Sequence, residues 1–288
     1  MTSATSSGAE AEAGELSTST VKVTFEDGIA WVVLNRPEKR NAMNPAMNRD
    51  MNVILDALEI DDRCKVLVLT GAGDAFTAGM DLREFFRETA GFDPIKRRRT
   101  MAQATNWQWR KLRYFAKPTI AMVNGWTFGG GFLPLVACDL AIAADDATFG
   151  VSEINWGIIP AGNVTKAIEA VLNERQALRY IMTGDPFDGK KAAEIGLVTE
   201  AVPRDQLRVT VVALAQKLMK KNPITLWNAK VAFKHIGEMD WELSEEYLTA
   251  KAIANTAMDP ERGSERGLKQ FLDDKSYKPG LGEYQREE

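Results

Sequence analysis

Short apolar runs recur along the chain up to residue 203 and alternate with segments of helical periodicity. In the clearest helical segment, Met47, Met51, Leu55 and Leu58 follow the cap and first-turn pair Asn44-Pro45 at helical spacing. Strands that alternate with helices in this way favour parallel β-α-β units, and so an α/β fold. The predicted strands are Val21–Phe25, Ile29–Leu34, Lys65–Thr70, Pro118–Val123, Leu140–Ala143 and Ala147–Phe149.

The sequence changes character after residue 203. Apolar residues recur at helical spacing from Leu207 to Leu218, and further helical segments follow without a convincing strand. We therefore predict an α/β core over residues 21–203 and a helical C-terminal module with a loose tail over residues 204–288. Residues 1–20 are rich in small and polar side chains and lack the pattern of a signal peptide, which predicts a disordered tail.

Composition narrows the class of protein further. A net charge of −4 argues against a nucleic-acid-binding protein. No apolar run approaches the length of a membrane span. Cys64 and Cys138 lie in apolar runs and give no disulfide framework, which favours reduced thiols in a cytoplasmic protein. His235 is the single histidine, so a structural zinc site is not expected.

The triple glycine Gly129-Gly130-Gly131 is the first candidate site. Glycines let backbone amides approach a ligand, and a helix that starts there would favour negative charge. Glu153 is the one ionisable residue in the apolar stretch Phe149–Gly157. In an apolar pocket its pKa should rise, which suits a group that takes and returns a proton. Amides aimed at an oxygen, with one carboxylate nearby, point to chemistry on an activated acyl group.

A second loop, Ala78-Gly79-Met80-Asp81, follows a predicted strand and opens a helical segment. Two such loops are able to supply two amides to one oxygen, as an oxyanion hole requires. Each loop taken alone also has a purely structural explanation. Glycine clusters are often tight turns, and Ala78–Asp81 also fits a helix cap.

The basic run Lys96–Arg99 is typical of a solvated helix face. The aspartates that fit best as caps and turn residues are Asp81, Asp139, Asp145 and Asp146.

Six short motifs occur in order along the chain: Asn35-Arg-Pro37, Asn41-Ala-Met43, Ala78–Asp81, Asn124-Gly125, Phe128–Gly131 and Cys138-Asp139-Leu140. In order and spacing they resemble the crotonase (enoyl-CoA hydratase/isomerase) superfamily over roughly residues 21–272. The resemblance implies a spiral of repeated β-β-α turns, a C-terminal helical trimerisation module, and a coenzyme A thioester as ligand. It further implies a homo-oligomer, either a trimer or a dimer of trimers, with no metal and no separate cofactor.

The resemblance also assigns roles to residues. The backbone amides of Met80 and Gly130 would bind the thioester oxygen, and Glu153 would be the acid–base group. Lys39, Ala78 and Leu82 would lie near the adenosine and phosphate end of coenzyme A. Further residues expected to contact the substrate or coenzyme A are Gly79, Asp81, Phe85, Gly129, Leu133, Ser152, Trp156 and Thr249.

Three further segments resemble the 4-hydroxycinnamoyl-CoA (feruloyl-CoA) hydratase-lyases within that superfamily. They are Ser152–Gly157, Trp107-Gln-Trp109 and Phe271–Ser276. Enzymes of that group convert feruloyl-CoA and its relatives into vanillin-type aldehydes and acetyl-CoA. The resemblance therefore implies hydration of the acyl double bond followed by retro-aldol cleavage, with Trp156 and Phe85 as candidate walls for a flat ring.

The chain departs from these families at three positions. Ordinary enoyl-CoA hydratases hold the attacking water between two glutamates, and the place of the first is taken here by Leu133. The hydratase-lyases have tyrosines at the positions of Phe85 and Thr249, so the contacts to a substrate phenol are altered. A single-glutamate site fits the hydratase-lyases, but it also fits an enoyl-CoA isomerase or a hydratase acting on another acyl-CoA. A non-catalytic member that binds a thioester or RNA is a further alternative, which the acidic balance and Glu153 disfavour.

Overall fold

The computed structural model describes residues 16–278, 280 and 282–286. They fall into two compact units, Met1–Ala215 and Gln216–Glu288. The predicted tail of residues 1–20 lies outside the described residues except for its end. There the Ser17 hydroxyl donates to the Val23 carbonyl and the Thr20 hydroxyl donates to Asp50 at 2.6 Å.

The first unit contains two sheets. The six-stranded sheet has the order β1-β2-β3-β5-β7-β10, and the four-stranded sheet has the order β4-β6-β8-β9. Only the end pairs β1–β2 and β8–β9 are antiparallel; the other neighbours are parallel. The strands are β1 Val21–Glu26, β2 Ile29–Leu34, β3 Val66–Gly71, β4 Ala75–Thr77, β5 Thr119–Val123, β6 Trp126–Phe128, β7 Leu140–Ala144, β8 Thr148–Gly150, β9 Phe187–Asp188 and β10 Glu200–Val202.

Three consecutive strand pairs generate the spiral. In β3–β4, β5–β6 and β7–β8 the first strand joins the larger sheet and the second joins the smaller one. Each pair therefore advances both sheets by one strand, which confirms the crotonase-like α/β fold expected from the motifs. Every residue of β3 is buried, as expected for a strand covered on both faces, whereas β1 at the sheet edge alternates.

The helices of the first unit pack against these strands. In the first helix, Asn44 caps Met47 through its side chain and Pro45 begins the first turn, as the sequence predicts. The predicted apolar positions Met47, Met51, Leu55 and Leu58 are all buried. The helices are α1 Pro45–Ile60, α2 Pro94–Thr105, α3 Leu112–Tyr114, α4 Phe132–Ala137, α5 Val164–Glu169, α6 Glu174–Thr183 and α7 Gly189–Glu194.

Tighter and wider helical turns fill several connections. There are two π-helical segments among the described residues. Leu82–Arg87 is the first helical element after β4, and Asn106–Lys111 directly continues α2. The sequence predicts helix through Trp107 and Leu112, but not the π geometry. The 3-10 turns are Pro37–Lys39, Glu88–Gly91, Gly129–Gly131, Glu153–Trp156 and Arg204–Gln206.

Helix α8, Leu207–Met219, contains the division between the two units. The sequence prediction places the boundary at residue 203. In the structure Leu207, Val211 and Ala215 are buried, so the start of the helix contributes to the core of the first unit. The helices of the second unit are α9 Pro223–Ile236, α10 Trp241–Met258 and α11 Gly263–Leu272.

The chain beyond α11 folds back within the second unit. The Tyr277 hydroxyl donates to the Gly267 carbonyl at 3.0 Å, and the Gln285 amide donates to the Gln270 side chain at 2.8 Å. These hydrogen bonds fix the described part of a segment that the sequence predicts to be loose. Within the described ranges, no helix is both long and apolar enough to span a membrane.

Candidate active site

The triple glycine forms a 3-10 turn between strand β6 and helix α4. Gly129 has φ +50°, in the left-handed region that favours glycine. The amide of Phe132 donates to the Gly129 and Gly130 carbonyls and continues the turn into α4. Among the described residues, no group accepts a hydrogen bond from the Gly130 amide. The turn thus presents an unpaired amide at the start of a helical segment.

The second candidate loop is held on both sides of Met80. The amide of Met43 donates to the Gly79 carbonyl at 2.8 Å, and the amide of Asp81 donates to the Met43 carbonyl at 3.0 Å. This short parallel bridge turns the Met80 amide away from Met43. Within the described part of the chain that amide also has no acceptor. The loop is therefore fixed while its central amide stays available.

The two loops lie in contact. A Cβ atom added to Gly130 would be 3.3 Å from the amide nitrogen of Met80 and 3.0 Å from its Cγ atom. A Cβ atom added to Gly79 would be 3.0 Å from the amide nitrogen of Gly130. Only glycine allows so close an approach of the two backbones. The arrangement is the one that the oxyanion-hole hypothesis requires, and the ligand oxygen itself stays a prediction.

Glu153 begins the 3-10 turn after β8 and lies beside the triple glycine. Its Oε1 atom would be 3.0 Å from a Cβ atom added to Gly129. Its Oε2 atom is buried and has no hydrogen-bond partner among the described residues. Burial raises the pKa of the Glu153 carboxyl, and a hydrogen bond from its own backbone opposes the rise only in part. The predicted direction of the pKa shift is therefore the one found.

A cleft of about 1120 Å³ surrounds these groups. Glu153 is the only ionisable side chain among the described residues that line it. An apolar cleft with few polar groups is typical of a site that binds a small organic ligand. Ten of the residues expected from the sequence line the cleft: Ala78, Met80, Leu82, Phe85, Gly129, Gly130, Leu133, Ser152, Glu153 and Trp156.

Four other residues expected at the site are not among those that line the cleft. Gly79 packs behind the cleft, where a Cβ atom would be 2.6 Å from the Phe128 carbonyl oxygen. Lys39 ends the 3-10 turn Pro37–Lys39, and Thr249 lies on α10 of the second unit. Asp81 caps the π-helical segment that starts at Leu82, as its alternative interpretation predicts. Contacts of these residues with a substrate stay predictions.

Sequence reasoning missed several residues of the cleft. Phe86 packs edge-to-face on Phe85 with ring centroids 5.1 Å apart. Gln108 lies on the second π-helical segment, between the two tryptophans that the sequence singles out. Its position between aromatic residues was the available signal. The other lining residues not predicted are Met101, Ala104, Thr105, Phe128, Gly157, Ile158, Ile159, Ala161, Gly162 and Val164.

A buried arginine fixes the Met80 loop from behind. Arg36 donates from Nη1 to Asp81 at 2.9 Å and to the Ala42 carbonyl at 2.6 Å, and from Nη2 to Glu84. Burial alone would raise the pKa of Asp81, but hydrogen bonds from the Glu84 amide and from Arg36 outweigh it and lower that pKa. Asp81, the residue next to Met80, is thus ionised and is held in place by Arg36.

Replacing Arg36 with methionine should destabilise the fold by about 3–5 kcal/mol, because a buried carboxylate at Asp81 loses its partner. Urea unfolding at pH 7 measures this loss. The ion pair contributes while Asp81 is ionised, so the two stability curves should converge as the pH falls through its lowered pKa. The control is Arg83→Met, which removes an exposed pair with Glu88 and should cost under about 1 kcal/mol. Equal effects of the two variants would contradict this account.

The fold and the site together define a class of protein in which two free backbone amides lie beside one buried carboxyl group in an apolar cleft. The family model described as enoyl-CoA hydratase/isomerase matches residues 24–278. The chain belongs to this family. Within the described residues, no group of three histidine, cysteine or acidic side chains is placed to hold a metal ion.

Among the curated relatives, a hydroxycinnamoyl-CoA hydratase-lyase from Pseudomonas fluorescens is 59% identical over 93% of this chain and 97% of its own length. A 2,3-dehydroadipyl-CoA hydratase from Escherichia coli is 30% identical over 75% of this chain and 82% of its own. A crystal structure of an enoyl-CoA hydratase from Mycobacterium smegmatis superposes with a TM-score of 0.80 at 26% identity, covering 88% and 96% of the two chains. The resemblance inferred from the motifs is confirmed.

Proposed function

We propose that the protein hydrates a trans-4-hydroxycinnamoyl-CoA thioester and then cleaves the adduct to an aromatic aldehyde and acetyl-CoA. The 59% identity to a hydroxycinnamoyl-CoA hydratase-lyase over nearly the full chain carries this proposal. The cleft supports it, because its one carboxylate lies beside two free amides. The first glutamate of the usual water-holding pair is replaced by Leu133, which is buried and apolar.

The first half of the reaction adds water across the double bond. The thioester carbonyl oxygen accepts hydrogen bonds from the Met80 and Gly130 amides. Glu153 takes a proton from water, the oxygen bonds to the β-carbon, and the displaced electron pair moves to the thioester oxygen as an enolate. Glu153 then returns the proton to the α-carbon.

The second half breaks the carbon–carbon bond. Glu153 takes the proton of the new β-hydroxyl, and the carbonyl of the aldehyde forms as the bond between the α- and β-carbons breaks. The bonding electrons move to the thioester oxygen, so the same two amides hold the acetyl-CoA enolate. Glu153 protonates its α-carbon and is ready for another turnover. The amides thus stabilise negative charge on one oxygen twice in each cycle.

Incubation of the purified protein with trans-feruloyl-CoA tests this function. Vanillin and acetyl-CoA should form in equal amounts, measured by absorbance and chromatography. Release of a β-hydroxyacyl-CoA without aldehyde would make the protein a hydratase. An aliphatic 3-enoyl-CoA is the comparison substrate, because the single carboxylate also fits an isomerase. Double-bond migration in that thioester, with no cleavage of feruloyl-CoA, would contradict the proposal.

The same proposal includes a homo-oligomer, either a trimer or a dimer of trimers, and no cofactor beyond the coenzyme A of the substrate. The exposed apolar side chains on α10 support an oligomer, since Trp241 is 90% exposed and Ile253 is 67% exposed. A cytoplasmic location fits Cys64 and Cys138, which are both buried and not joined in a disulfide.

A further inference from the structure

A cluster of buried polar side chains lies behind Met80. Gln108 is 1% exposed, and both Asn48 and Trp107 are fully buried. The Nε2 atom of Gln108 lies 3.3 Å from the Met80 sulfur, 3.4 Å from the Met43 sulfur and 3.4 Å from Asn48 Oδ1. Buried polar atoms need such partners. The cluster therefore connects Gln108 directly to the residue whose amide forms half of the candidate oxyanion hole.

The orientation of the Gln108 amide follows from Trp107. The indole Nε1 can only donate, and it lies 2.7 Å from the side-chain atom of Asn48 assigned as Oδ1. That atom must be the oxygen, so Gln108 has to face it with its NH₂ group. The thioether sulfurs are weak acceptors and favour the same orientation. The oxygen Oε1 of Gln108 is left as the polar atom not used by this cluster.

Gln108 also lines the cleft. Its π-helical segment packs against helix α4, which carries Leu133. No donor to Oε1 occurs among the described residues. The Met80 Cγ atom would be 3.0 Å from a Cβ atom on Gly130, so Gln108 is separated from the two free amides by one side chain. Gln108 thus borders the part of the cleft that contains the Met80 and Gly130 amides.

We propose that Gln108 contacts the reacting oxygen of the substrate. Its Oε1 atom accepts a hydrogen bond from the attacking water and then from the β-hydroxyl group of the adduct, where Leu133 offers none. The inference rests on the proposed function and names the second polar contact of the same site. A water held by Glu153 and Gln108 has one partner that moves its proton and one that only orients it.

Two thioesters that differ only in the β-hydroxyl test this contact. They are 3-(4-hydroxy-3-methoxyphenyl)propionyl-CoA and its 3-hydroxy derivative, titrated by calorimetry in a Glu153→Gln background that prevents turnover. Adding Gln108→Met should weaken binding of the hydroxylated ligand about tenfold, as expected for one lost hydrogen bond. Binding of the saturated ligand should stay unchanged, which also shows that the variant is folded. Gln108→Leu should behave in the same way.

The matched control is Gln103→Met on helix α2, a residue that does not line the cleft. It should change the affinity for neither ligand. Equal weakening of both ligands by Gln108→Met would mean that Gln108 acts only through the shape of the Met80 loop, and would overturn the proposal. Unchanged binding of both would overturn it as well. Failure of the wild-type protein to form aldehyde from feruloyl-CoA would refute the proposed function, while the binding comparison in the Glu153→Gln background would still decide the role of Gln108.

Discussion

Replacing Glu153 with glutamine should lower kcat on feruloyl-CoA by roughly 10²- to 10⁴-fold, the usual contribution of a positioned acid–base group. Each half of the proposed reaction transfers a proton to or from this carboxyl, and no other ionisable side chain lines the cleft in the described part of the protein. The amide keeps the shape of the carboxyl, so the affinity for the saturated thioester should change little. Steady-state kinetics and calorimetry separate the two effects.

The exposed Glu169, which pairs with Lys166 on α5, supplies the control. Glu169→Gln should leave kcat unchanged. Near-normal turnover by a folded Glu153→Gln protein would rule out the mechanism.

The pH dependence of Glu153 gives the same hypothesis a second test. Its pKa lies above the ordinary value of 4.5, so the base form and kcat/KM should rise with pH through that raised pKa. Stability has the opposite dependence, because the folded state holds the proton more tightly than the unfolded state does. Ionisation of the Glu153 carboxyl in the folded protein therefore lowers the free energy of unfolding as the pH rises. Glu153→Gln should be the more stable protein at pH 7, and the difference should shrink as the pH falls towards 4.5.

Replacing Gly130 with alanine should lower kcat by roughly 10²- to 10³-fold, as expected when one donor of an oxyanion hole is lost. The new methyl group would lie 3.3 Å from the Met80 nitrogen and 3.0 Å from its Cγ, in the space between the two amides. Because the enolate is held there in both halves of the reaction, hydration and cleavage should fall together. Product analysis by chromatography measures both.

Gly91→Ala is the matched control, since a Cβ atom at Gly91 would meet nothing within 4 Å and the residue needs no positive φ. This variant should keep full activity and stability. If Gly130→Ala slowed cleavage but not hydration, the two steps would use different sites for the oxygen, and the shared oxyanion hole would be wrong.

The parts of the site that the sequence predicts are those fixed by local rules. The sequence identifies Gly129, Gly130 and the loop around Met80 because only glycine permits such close backbone approach. It identifies Glu153 because this residue is a lone carboxylate among apolar residues. Strands β2, β3, β5 and β7 were predictable for a similar reason, since buried parallel strands are continuous apolar runs. The short strands β4, β6, β9 and β10 were not predicted.

The parts that the sequence does not predict depend on contacts between distant segments. Arg36 reads as one member of an Asn-Arg-Pro motif, yet its role follows from Asp81 and Glu84, which are brought to it by the fold. Gln108 likewise becomes interpretable only when Asn48 and Trp107 fix its orientation. Asp81 and Glu84 are far from Arg36 in sequence, and Asn48 is far from Gln108. No periodic pattern in the sequence therefore marks these contacts.

The π-helical segment Asn106–Lys111 affects how the chain corresponds to its homologues. A π turn accommodates one residue more than an α turn, so a homologue with regular α geometry here aligns only across a one-residue gap. One residue corresponds to about 100° of rotation around a helix. An insertion or deletion of one codon in this segment would therefore place a different residue where Gln108 now faces the cleft. The neighbouring strands would keep their register. Such a change would alter the residue that faces the cleft without any amino-acid substitution.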